Sequence, residues 1–257
     1  MKKSMRDLFK TDEVPVGCWS FGENPTDIEL LGLSGYDFVI IDDEHGCHND
    51  PNKLELVRTA ENAGIMPLFR VPGFTYEDSI KKVLDIGASG IVVPNISRRE
   101  EAEQAIQYSK FAPIGNRGAC PYVRANFWGT KYSVKEYYSK ANEEVTVIFL
   151  IENTGGVKNF DEIISVEGVD AILYGRADLS VSMGIPGEYE NPELLESIKS
   201  MTQRARAKGV PAGMVAFDYD DAMRWLADDV DFLTAGFNLG GTIMANRELV
   251  NKIKDQG

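Results

Sequence analysis

The sequence predicts one (β/α)8 (TIM) barrel that spans residues 1–257, an α/β fold in which parallel strands alternate with helices. Eight short apolar runs, bounded by turn residues, have the length and composition of buried strands. Most of the stretches between them carry apolar residues at helical spacing, and no linker divides the chain. An open doubly wound sheet would need a glycine-rich phosphate turn after an early strand, and the sequence has none there. These observations favour the barrel.

The predicted strands are apolar on both faces, as expected of parallel strands with helices on one side and the barrel interior on the other. In chain order they are VGCWS (16–20), DFVIID (37–42), MPLFR (66–70), GIVVP (90–94), TVIFLIE (146–152), AILYG (171–175), PAGMVA (211–216) and DFLTAG (231–236). The stretches 51–63 and 77–87 place their apolar residues on one face at helical spacing. They predict helices after the second and third strands.

One long segment interrupts the alternation: about fifty residues separate the fourth and fifth strands, roughly twice what one crossover requires. It contains FAPIGNRGACPYVRANFWGTKYS, which is dense in glycine, proline, arginine and aromatic residues. A solvated excursion would leave Tyr122, Phe127 and Trp128 exposed to water. We therefore expect a long insertion on the catalytic face of the barrel that is buried against a neighbouring subunit.

The composition argues against several classes of function. A formal net charge of −13 and a pI near 4.7 oppose binding to nucleic acid or to an anionic membrane. The amino-terminal MKKSMRDLFKTDE lacks the apolar core of a signal peptide, and no apolar run is long enough for a membrane span. We expect a soluble, cytoplasmic protein. Its three cysteines, Cys18, Cys47 and Cys120, are odd in number and irregular in spacing, which indicates reduced thiols.

Polar residues follow the predicted strands, and active sites of this fold lie at the carboxyl ends of the strands. The sequence DDEHG (42–46) follows strand two, Arg70 ends strand three, Glu152 ends strand five, and Arg176 and Asp178 follow strand six. The beginnings of the strands carry fewer groups of this kind. The sequence therefore predicts a functional site at the carboxyl-terminal mouth of the barrel.

Glu152 and Asp178 are the candidate metal ligands. They lie 26 positions apart (178 − 152) at the ends of adjacent predicted strands, so their carboxylates can converge on one ion. Two carboxylates, completed by water and a chelating substrate, suit Mg²⁺, Mn²⁺ or Co²⁺ better than a closed zinc site. The structural alternatives are a salt bridge from Glu152 to a loop arginine or lysine, and a helix N-cap at Asp178 ahead of LSVSM.

His45 is a candidate general base, because a histidine after an acidic run at a strand end can exchange protons near neutral pH. A zinc cluster of His45, Cys47 and His48 is a weaker alternative, since three ligands so close on one loop leave little room for tetrahedral geometry. A plain hydrogen-bonded loop histidine is the remaining interpretation.

Arg70 ends an otherwise apolar strand, and a guanidinium at the barrel mouth suits a carboxylate or a developing enolate oxygen. A buried ion pair with Asp42 or Glu44 is compatible with that role, and we expect these two acidic residues to surround the site without binding the ion. The turn GRADLS adds backbone N–H groups at a helix start, where a substrate carboxylate can dock. The candidate substrate contacts are Arg70, Trp19, Ala177, Asp178 and Arg176.

No lysine lies at the carboxyl end of any predicted strand. Aldolases of this fold that work through a Schiff base need such a lysine. Carbonyl chemistry in this protein is therefore expected to use a metal as the Lewis acid.

In order along the chain, DFVIIDDEHG, FRVPG, LDIGASGIVVPNI, PIGNRGA, FLIEN and YGRADLSVSMG resemble the motifs of the metal-dependent pyruvate aldolases of the HpcH/HpaI family. The resemblance runs from about residue 14 to residue 245. It implies a barrel of the phosphoenolpyruvate/pyruvate-domain type and an aldolase that forms or cleaves 4-hydroxy-2-oxo acids. It also implies a hexamer, built as a trimer of dimers, with carboxyl-terminal helices exchanged between subunits.

The resemblance also implies a role for each site residue. Glu152 and Asp178 match the glutamate and aspartate that hold the divalent ion. His45 matches the base that acts on the pyruvyl methyl group, through water, and Arg70 matches the arginine that stabilises the enolate oxygen. Asp85, in the LDIG segment, is similar to an aspartate that supports the histidine from an adjacent subunit.

The chain departs from the family pattern in three places, all expected at the mouth. Arg176 replaces a usual proline, residues 236–238 read Gly-Phe-Asn where relatives commonly have Gly-Ser-Asp, and segment 120–128 differs from the usual small-residue version. Arg176 and Arg124 make a multiply charged acceptor plausible. The same enolate could therefore serve an oxo-acid decarboxylase or a citrate-synthase-like enzyme, and a non-catalytic oxo-acid binding protein is the last alternative.

Overall fold

A computed structural model describes residues 4–46 and 49–254 of the chain. Eight parallel strands close into one barrel in chain order, with β8 paired to β1. The strands are β1 (Val16–Ser20), β2 (Phe38–Asp42), β3 (Met66–Arg70), β4 (Gly90–Val93), β5 (Thr146–Ile151), β6 (Ala171–Tyr174), β7 (Ala212–Ala216) and β8 (Phe232–Phe237). Each lies within one residue of its predicted bounds, and the (β/α)8 barrel is confirmed.

Helices occupy the connections between the strands. They are α1 (Met5–Leu8), α2 (Pro25–Leu33), α3 (Asp50–Ala63), α4 (Glu77–Asp85), α5 (Arg99–Ser109), a 3₁₀ segment (Arg124–Gly129), α6 (Val134–Glu144), α7 (Thr154–Lys158), α8 (Phe160–Ile163), α9 (Arg176–Ser182), α10 (Pro192–Ala207), α11 (Tyr219–Ala227) and α12 (Asn238–Lys254). No helix in the described part of the chain is both long and apolar enough to cross a membrane.

Local sequence explains where these helices begin and end. At α3 the side chain of Asn49 accepts a hydrogen bond from the backbone N–H of Asn52, and Pro51 occupies the first turn, where no N–H is needed. The helix ends at Gly64, whose φ of 79° lies in the left-handed region that glycine adopts without strain. The helix predicted over 51–63 is thereby confirmed.

The barrel interior is filled by alternating large and small residues. The rings of Phe38 and Phe232 face Gly17 and Gly213, where an added Cβ would lie 2.1 and 2.3 Å from the aromatic carbons. Below them, α1 packs against the amino ends of the strands, with Phe9 and Phe232 ring centroids 5.3 Å apart. The interior is thus closed at the amino-terminal end, which leaves the carboxyl-terminal mouth as its accessible end.

The segment between β4 and β5 is attached at the closed end of the barrel. Arg124 forms an ion pair with Glu61 at the end of α3 and donates to the carbonyl of Ile86, just after α4, at 3.0 Å. These contacts lie on the amino-terminal side of the strands. The prediction that the insertion lies on the catalytic face of its own barrel is therefore wrong. Phe127 and Trp128 are 51% and 64% exposed. Their burial against a neighbouring subunit stays a prediction.

Helix α12 leaves the barrel after β8 with Gly240 as its one buried residue in the described part of the helix. It contacts β1 and β8, and its exposed apolar side chains include Ile243, Met244 and Ile253. An apolar helix face that the chain itself does not cover fits the expected exchange between subunits, which stays a prediction.

Candidate active site

A cavity of about 240 Å³ opens at the carboxyl ends of the strands. Its walls are Trp19, Phe21, His45, Arg70, Leu150, Glu152, Gly175, Arg176, Ala177, Asp178, Val215 and Phe217. The structure thus brings together seven of the residues that the sequence singles out: Trp19, His45, Arg70, Glu152, Arg176, Ala177 and Asp178. We call this cavity the mouth pocket.

Asp42 organises the polar side of the mouth pocket from behind. It is fully buried at the end of β2, and its Oδ1 accepts hydrogen bonds from the backbone N–H groups of Glu44 and His45, at 3.1 and 3.4 Å. The same carboxylate accepts from Arg70 Nε at 2.8 Å and Arg70 Nη2 at 2.5 Å. One buried carboxylate therefore orients both the loop that carries His45 and the guanidinium of Arg70.

Arg70 keeps hydrogen-bonding capacity for a ligand. Its Nη1 lies 3.0 Å from Glu44 Oε2, so three of the five guanidinium N–H groups face Asp42 and Glu44 and two are left. Burial lowers the pKa of Arg70, but the hydrogen bond and charge of Asp42 outweigh that effect, so the pKa is raised. The Trp19 ring lies beside the cation, 4.8 Å from Cζ to the ring centroid.

His45 and Asp85 lie at different ends of the molecule. The His45 side chain is 63% exposed, lines the mouth pocket and places Nε2 3.9 Å from Glu44 Oε2. Asp85 ends α4 on the amino-terminal side of the barrel, where its Oδ1 accepts from Arg117 at 2.6 Å. Within one chain, Asp85 does not join the other candidate residues. Cys47 and His48, of the alternative zinc cluster, lie outside the described residues.

Glu152 is a buried carboxylate, 2% exposed, at the end of β5. Its Oε1 accepts from the backbone N–H of Asn95 at 2.9 Å, and no ion pair to it is found within the described ranges. Burial raises the pKa of Glu152 to about 8; the Asn95 hydrogen bond opposes this, and the nearby charge of Asp178 adds to it. Gly175 makes room for the carboxylate, since a Cβ there would lie 2.7 Å from Oε2.

Asp178 is exposed in the first turn of α9. The helix begins at Arg176 with Gly175 as its N-cap, so the alternative of an N-cap at Asp178 is wrong. Asp178 lines the mouth pocket together with Glu152. Residues 4–46 and 49–254 contain no group of three or more His, Cys, Asp or Glu side chains that could hold a metal. A cation at the mouth would therefore rely on these two carboxylates and on ligands from water or substrate.

The two carboxylates fit a hard divalent cation. Burial and the charge of Asp178 disfavour the charged form of Glu152, and a divalent ion held by both carboxylates would relieve both effects. The donors are all oxygens, which is the ligand type of Mg²⁺ and Mn²⁺. The space that Gly175 leaves beside Oε2 keeps one side of the carboxylate accessible.

Arg176 lines the mouth pocket, but its charge is paired within the protein, whereas the sequence suggested an extra cation facing the site. It is 1% exposed, and its guanidinium forms an ion pair with Asp221 of α11 and donates to the carbonyl of Val215 at 3.1 Å. Sequence reasoning did not identify Asn95, Phe217 or Asp221. Asn95 directly follows the run GIVVP, so the rule of strand ends could have found it.

Comparison with known proteins identifies the family. The family model HpcH/HpaI aldolase/citrate lyase matches residues 15–245. The chain belongs to this family. The resemblance seen in the sequence motifs is thereby confirmed, and the family is one of aldolases and lyases, which places the chain among enzymes of that class. A relative in the family, the 5-keto-4-deoxy-D-glucarate aldolase of Shigella dysenteriae, is 35% identical over 94% of this chain and 93% of its own length.

Two solved structures of this kind have the same fold. The citrate synthase SbnG is 31% identical, covers 99% of this chain and 98% of its own, and superposes with a TM-score of 0.89. The HpcH/HpaI aldolase from Desulfitobacterium hafniense is 27% identical, covers 94% of this chain and 93% of its own, and superposes with a TM-score of 0.88. The family barrel is therefore common to proteins named for aldol cleavage and for citrate formation.

Proposed function

We propose that this enzyme is a divalent-metal-dependent aldolase that forms or cleaves 4-hydroxy-2-oxo acids through the enolate of pyruvate. The observation that carries the proposal is the mouth pocket, where His45 and Arg70 share one cavity with the carboxylates of Glu152 and Asp178. The family match and the aldolase relative support the same class of reaction.

Glu152 and Asp178 would hold the metal through their carboxylates. When bound, Mg²⁺, Mn²⁺ or Co²⁺ supplies a Lewis acid for the keto group of a 2-oxo acid. The two remaining N–H groups of Arg70 suit the oxygen that becomes negative as the enolate forms. One such donor is typically worth a factor of about 10² to 10³ in rate.

His45 would move the proton. It would remove a methyl proton of pyruvate, directly or through water, and the exposed imidazole at the pocket edge suits that position. From the family resemblance we further propose that the protein forms a homo-hexamer in which Asp85 supports the histidine of an adjacent subunit. Asp85 lies at the amino-terminal end of its own barrel, away from its own His45, which is compatible with this role.

A second candidate is condensation of the same enolate with a multiply charged oxo acid, favoured by the likeness to the citrate synthase SbnG. Such an acceptor needs a cation for each additional carboxylate. The sequence offered Arg176 and Arg124 for this purpose, and they are paired with Asp221 and Glu61. The aldehyde acceptor is therefore the better supported of the two.

The decisive experiment is deuterium incorporation into the methyl group of pyruvate in D₂O, followed by proton NMR. It compares the protein with Mn²⁺, with a chelator, and with the substitution His45→Ala. We expect exchange that requires both the metal and His45. An absence of exchange under every condition would remove pyruvate as the nucleophile and contradict the proposal.

A further inference from the structure

One wall of the mouth pocket is apolar and aromatic. Trp19 and Phe21 from the end of β1 and Val215 and Phe217 from the end of β7 form it, and Arg70 borders it, with Cζ 4.8 Å from the Trp19 ring centroid. We call these four residues the aromatic wall. Nothing in the mechanism proposed above uses it, because the enolate half-reaction needs only the polar side of the pocket.

The β1 half of the aromatic wall is held in a fixed geometry. Trp19 is only 7% exposed, and its Nε1–H donates to Thr234 Oγ1 at 2.9 Å, which fixes the orientation of the indole. Phe21 stacks on Trp19 with ring centroids 6.5 Å apart, and Phe237 forms a T-shaped pair with Phe21, with ring centroids 6.2 Å apart. These rings form a preorganised apolar surface rather than a loose cluster.

The β7 half depends on Arg176. The Arg176 guanidinium lies 4.2 Å from the centroid of the Phe217 ring, and its ion-pair partner Asp221 accepts the backbone N–H of Phe217 at 2.9 Å. Tyr189 packs against the same ring, with centroids 4.9 Å apart. Phe217 is nevertheless 51% exposed, so the ring is held in place and still open to a ligand.

The charge distribution agrees with an apolar ligand on this side. Of the described pocket residues, the two that carry a permanent positive charge are Arg70 and Arg176. Arg70 is bound to Asp42 and Glu44, and Arg176 is bound to Asp221 beside the Phe217 ring. An acceptor with a second carboxylate would therefore find no unpaired arginine among the described residues beside the aromatic wall.

We infer that the aromatic wall selects an acceptor aldehyde with an apolar substituent, aryl or branched alkyl, and that Arg176 is a positioning residue that holds Phe217 against it. This inference rests on the proposed aldolase function. In the reaction, the methyl carbon of pyruvate forms a bond to the aldehyde carbon, the methyl group loses one proton and the aldehyde oxygen gains one. All other atoms of both substrates are kept in the 4-hydroxy-2-oxo acid product.

The test measures acceptor preference in the Mn²⁺-loaded full-length enzyme. Values of kcat/KM for aldol addition are compared for benzaldehyde and isobutyraldehyde against glycolaldehyde and succinic semialdehyde. We expect the apolar aldehydes to be favoured by roughly tenfold or more, the range that added apolar groups in a fitted pocket give. Methyl proton exchange of pyruvate is recorded in every sample, so that changes in the first half-reaction are separated from changes in acceptor binding.

Substitutions test whether the aromatic wall causes the preference for apolar aldehydes. Phe217→Ser should reduce the ratio of the benzaldehyde to the glycolaldehyde value by roughly tenfold, whereas Tyr219→Ser, an aromatic 75% exposed two positions away and outside the pocket, should leave the ratio unchanged. Arg176→Gln should lower the same ratio through KM for the aldehyde, and Arg176→Lys should restore part of it. A purely structural role of Arg176 would change both aldehydes equally.

A readout without turnover completes the test. Saturation-transfer NMR should show contact between the protein and the ring protons of benzaldehyde, lost in Phe217→Ser and kept in Tyr219→Ser. Normal pyruvate exchange together with a preference for glycolaldehyde or succinic semialdehyde would overturn the inference and leave the proposed function standing. Absence of pyruvate exchange would overturn the proposed function, and the NMR contact would then still decide whether the wall binds an apolar ring.

Discussion

Asp42 and Arg70 occupy paired positions at the ends of β2 and β3, and their side chains meet through two hydrogen bonds of 2.8 and 2.5 Å. The pair is buried, with Asp42 fully covered and Arg70 7% exposed. Because Asp42 also holds the backbone of His45, the ion pair connects the candidate base with the candidate enolate-binding cation. Parallel register thus converts two distant sequence motifs into one rigid half of the mouth pocket.

Arg70→Ala should reduce the rate of pyruvate methyl exchange by about 10² to 10³ while Mn²⁺ still binds, because the proposed metal ligands lie elsewhere, directly after β5 and in α9. The substitution leaves Asp42 buried without its partner, so the free energy of unfolding should fall by about 3 to 5 kcal/mol. Exchange kinetics, Mn²⁺ titration and urea unfolding measure the three effects.

The matched control is Arg6→Ala, which removes an ion pair to Asp170 near the closed end of the barrel. It should leave the exchange rate unchanged. Arg70→Lys keeps the charge but cannot bridge both oxygens of Asp42, so an intermediate rate is expected. Full turnover in Arg70→Ala would contradict the assigned role.

Gly175→Ala should weaken metal binding, because the new Cβ would lie 2.7 Å from Glu152 Oε2 and 2.9 Å from its Cβ. The carboxylate must then leave its present position, and the Mn²⁺ dissociation constant should rise by about tenfold or more. Isothermal titration calorimetry measures the constant. Gly241→Ala, in α12 with no atom within 4 Å of the new Cβ, is the control and should bind Mn²⁺ normally. Unchanged affinity in Gly175→Ala would argue against Glu152 as a ligand.

Lys110 should make stability depend on pH. It is 1% exposed, donates to the carbonyls of Asn142 and Val145, and burial lowers its pKa from 10.5 to about 8 despite Asp170 at 3.8 Å. Between these two pKa values the unfolded chain binds more protons than the folded protein, so the free energy of unfolding rises with pH in that window.

Urea unfolding at pH 7.5, 8.5 and 9.5 compares the wild type with Lys110→Met. The stability of the wild type relative to this variant should increase across the series by on the order of 2 kcal/mol. Lys158→Met, on the surface, should give the same difference at each pH. A constant difference for Lys110→Met as well would show that the folded protein does not hold this lysine with a lowered pKa.

The exposed aromatic residues of the insertion should form a subunit contact. Phe127 and Trp128 have φ values of 45° and 59°, a left-handed conformation that costs about 1 to 2 kcal/mol per residue and needs compensation. The double substitution Phe127→Ser and Trp128→Ser should therefore lower the mass seen by analytical ultracentrifugation below that of the wild-type oligomer. The pair Tyr219→Ser and Met223→Ser, on exposed positions of α11, should not. An unchanged mass in the first variant would place the contact elsewhere.

Most of the fold could be predicted because its signals are local. Eight apolar runs with turn residues at their ends define the strands, and right-handed alternation of strands and helices leaves a closed barrel as the arrangement that covers both faces of each strand. The same rule assigns the residues after each strand to one end of the molecule. For this reason Glu152 and Asp178, 26 positions apart, could be expected in one cavity.

The sequence by itself determined the barrel, the end at which the site lies and the family, since each of these depends on short motifs and their order. Only the tertiary structure decided the partners of Arg176 and Arg124. Arg176 pairs with Asp221, 45 positions away, rather than with a substrate, and the insertion is held at the closed end through Arg124 and Glu61. The physical reason is that an ion pair depends on distance and burial between loops of different strands, which closure of the barrel sets and local periodicity does not.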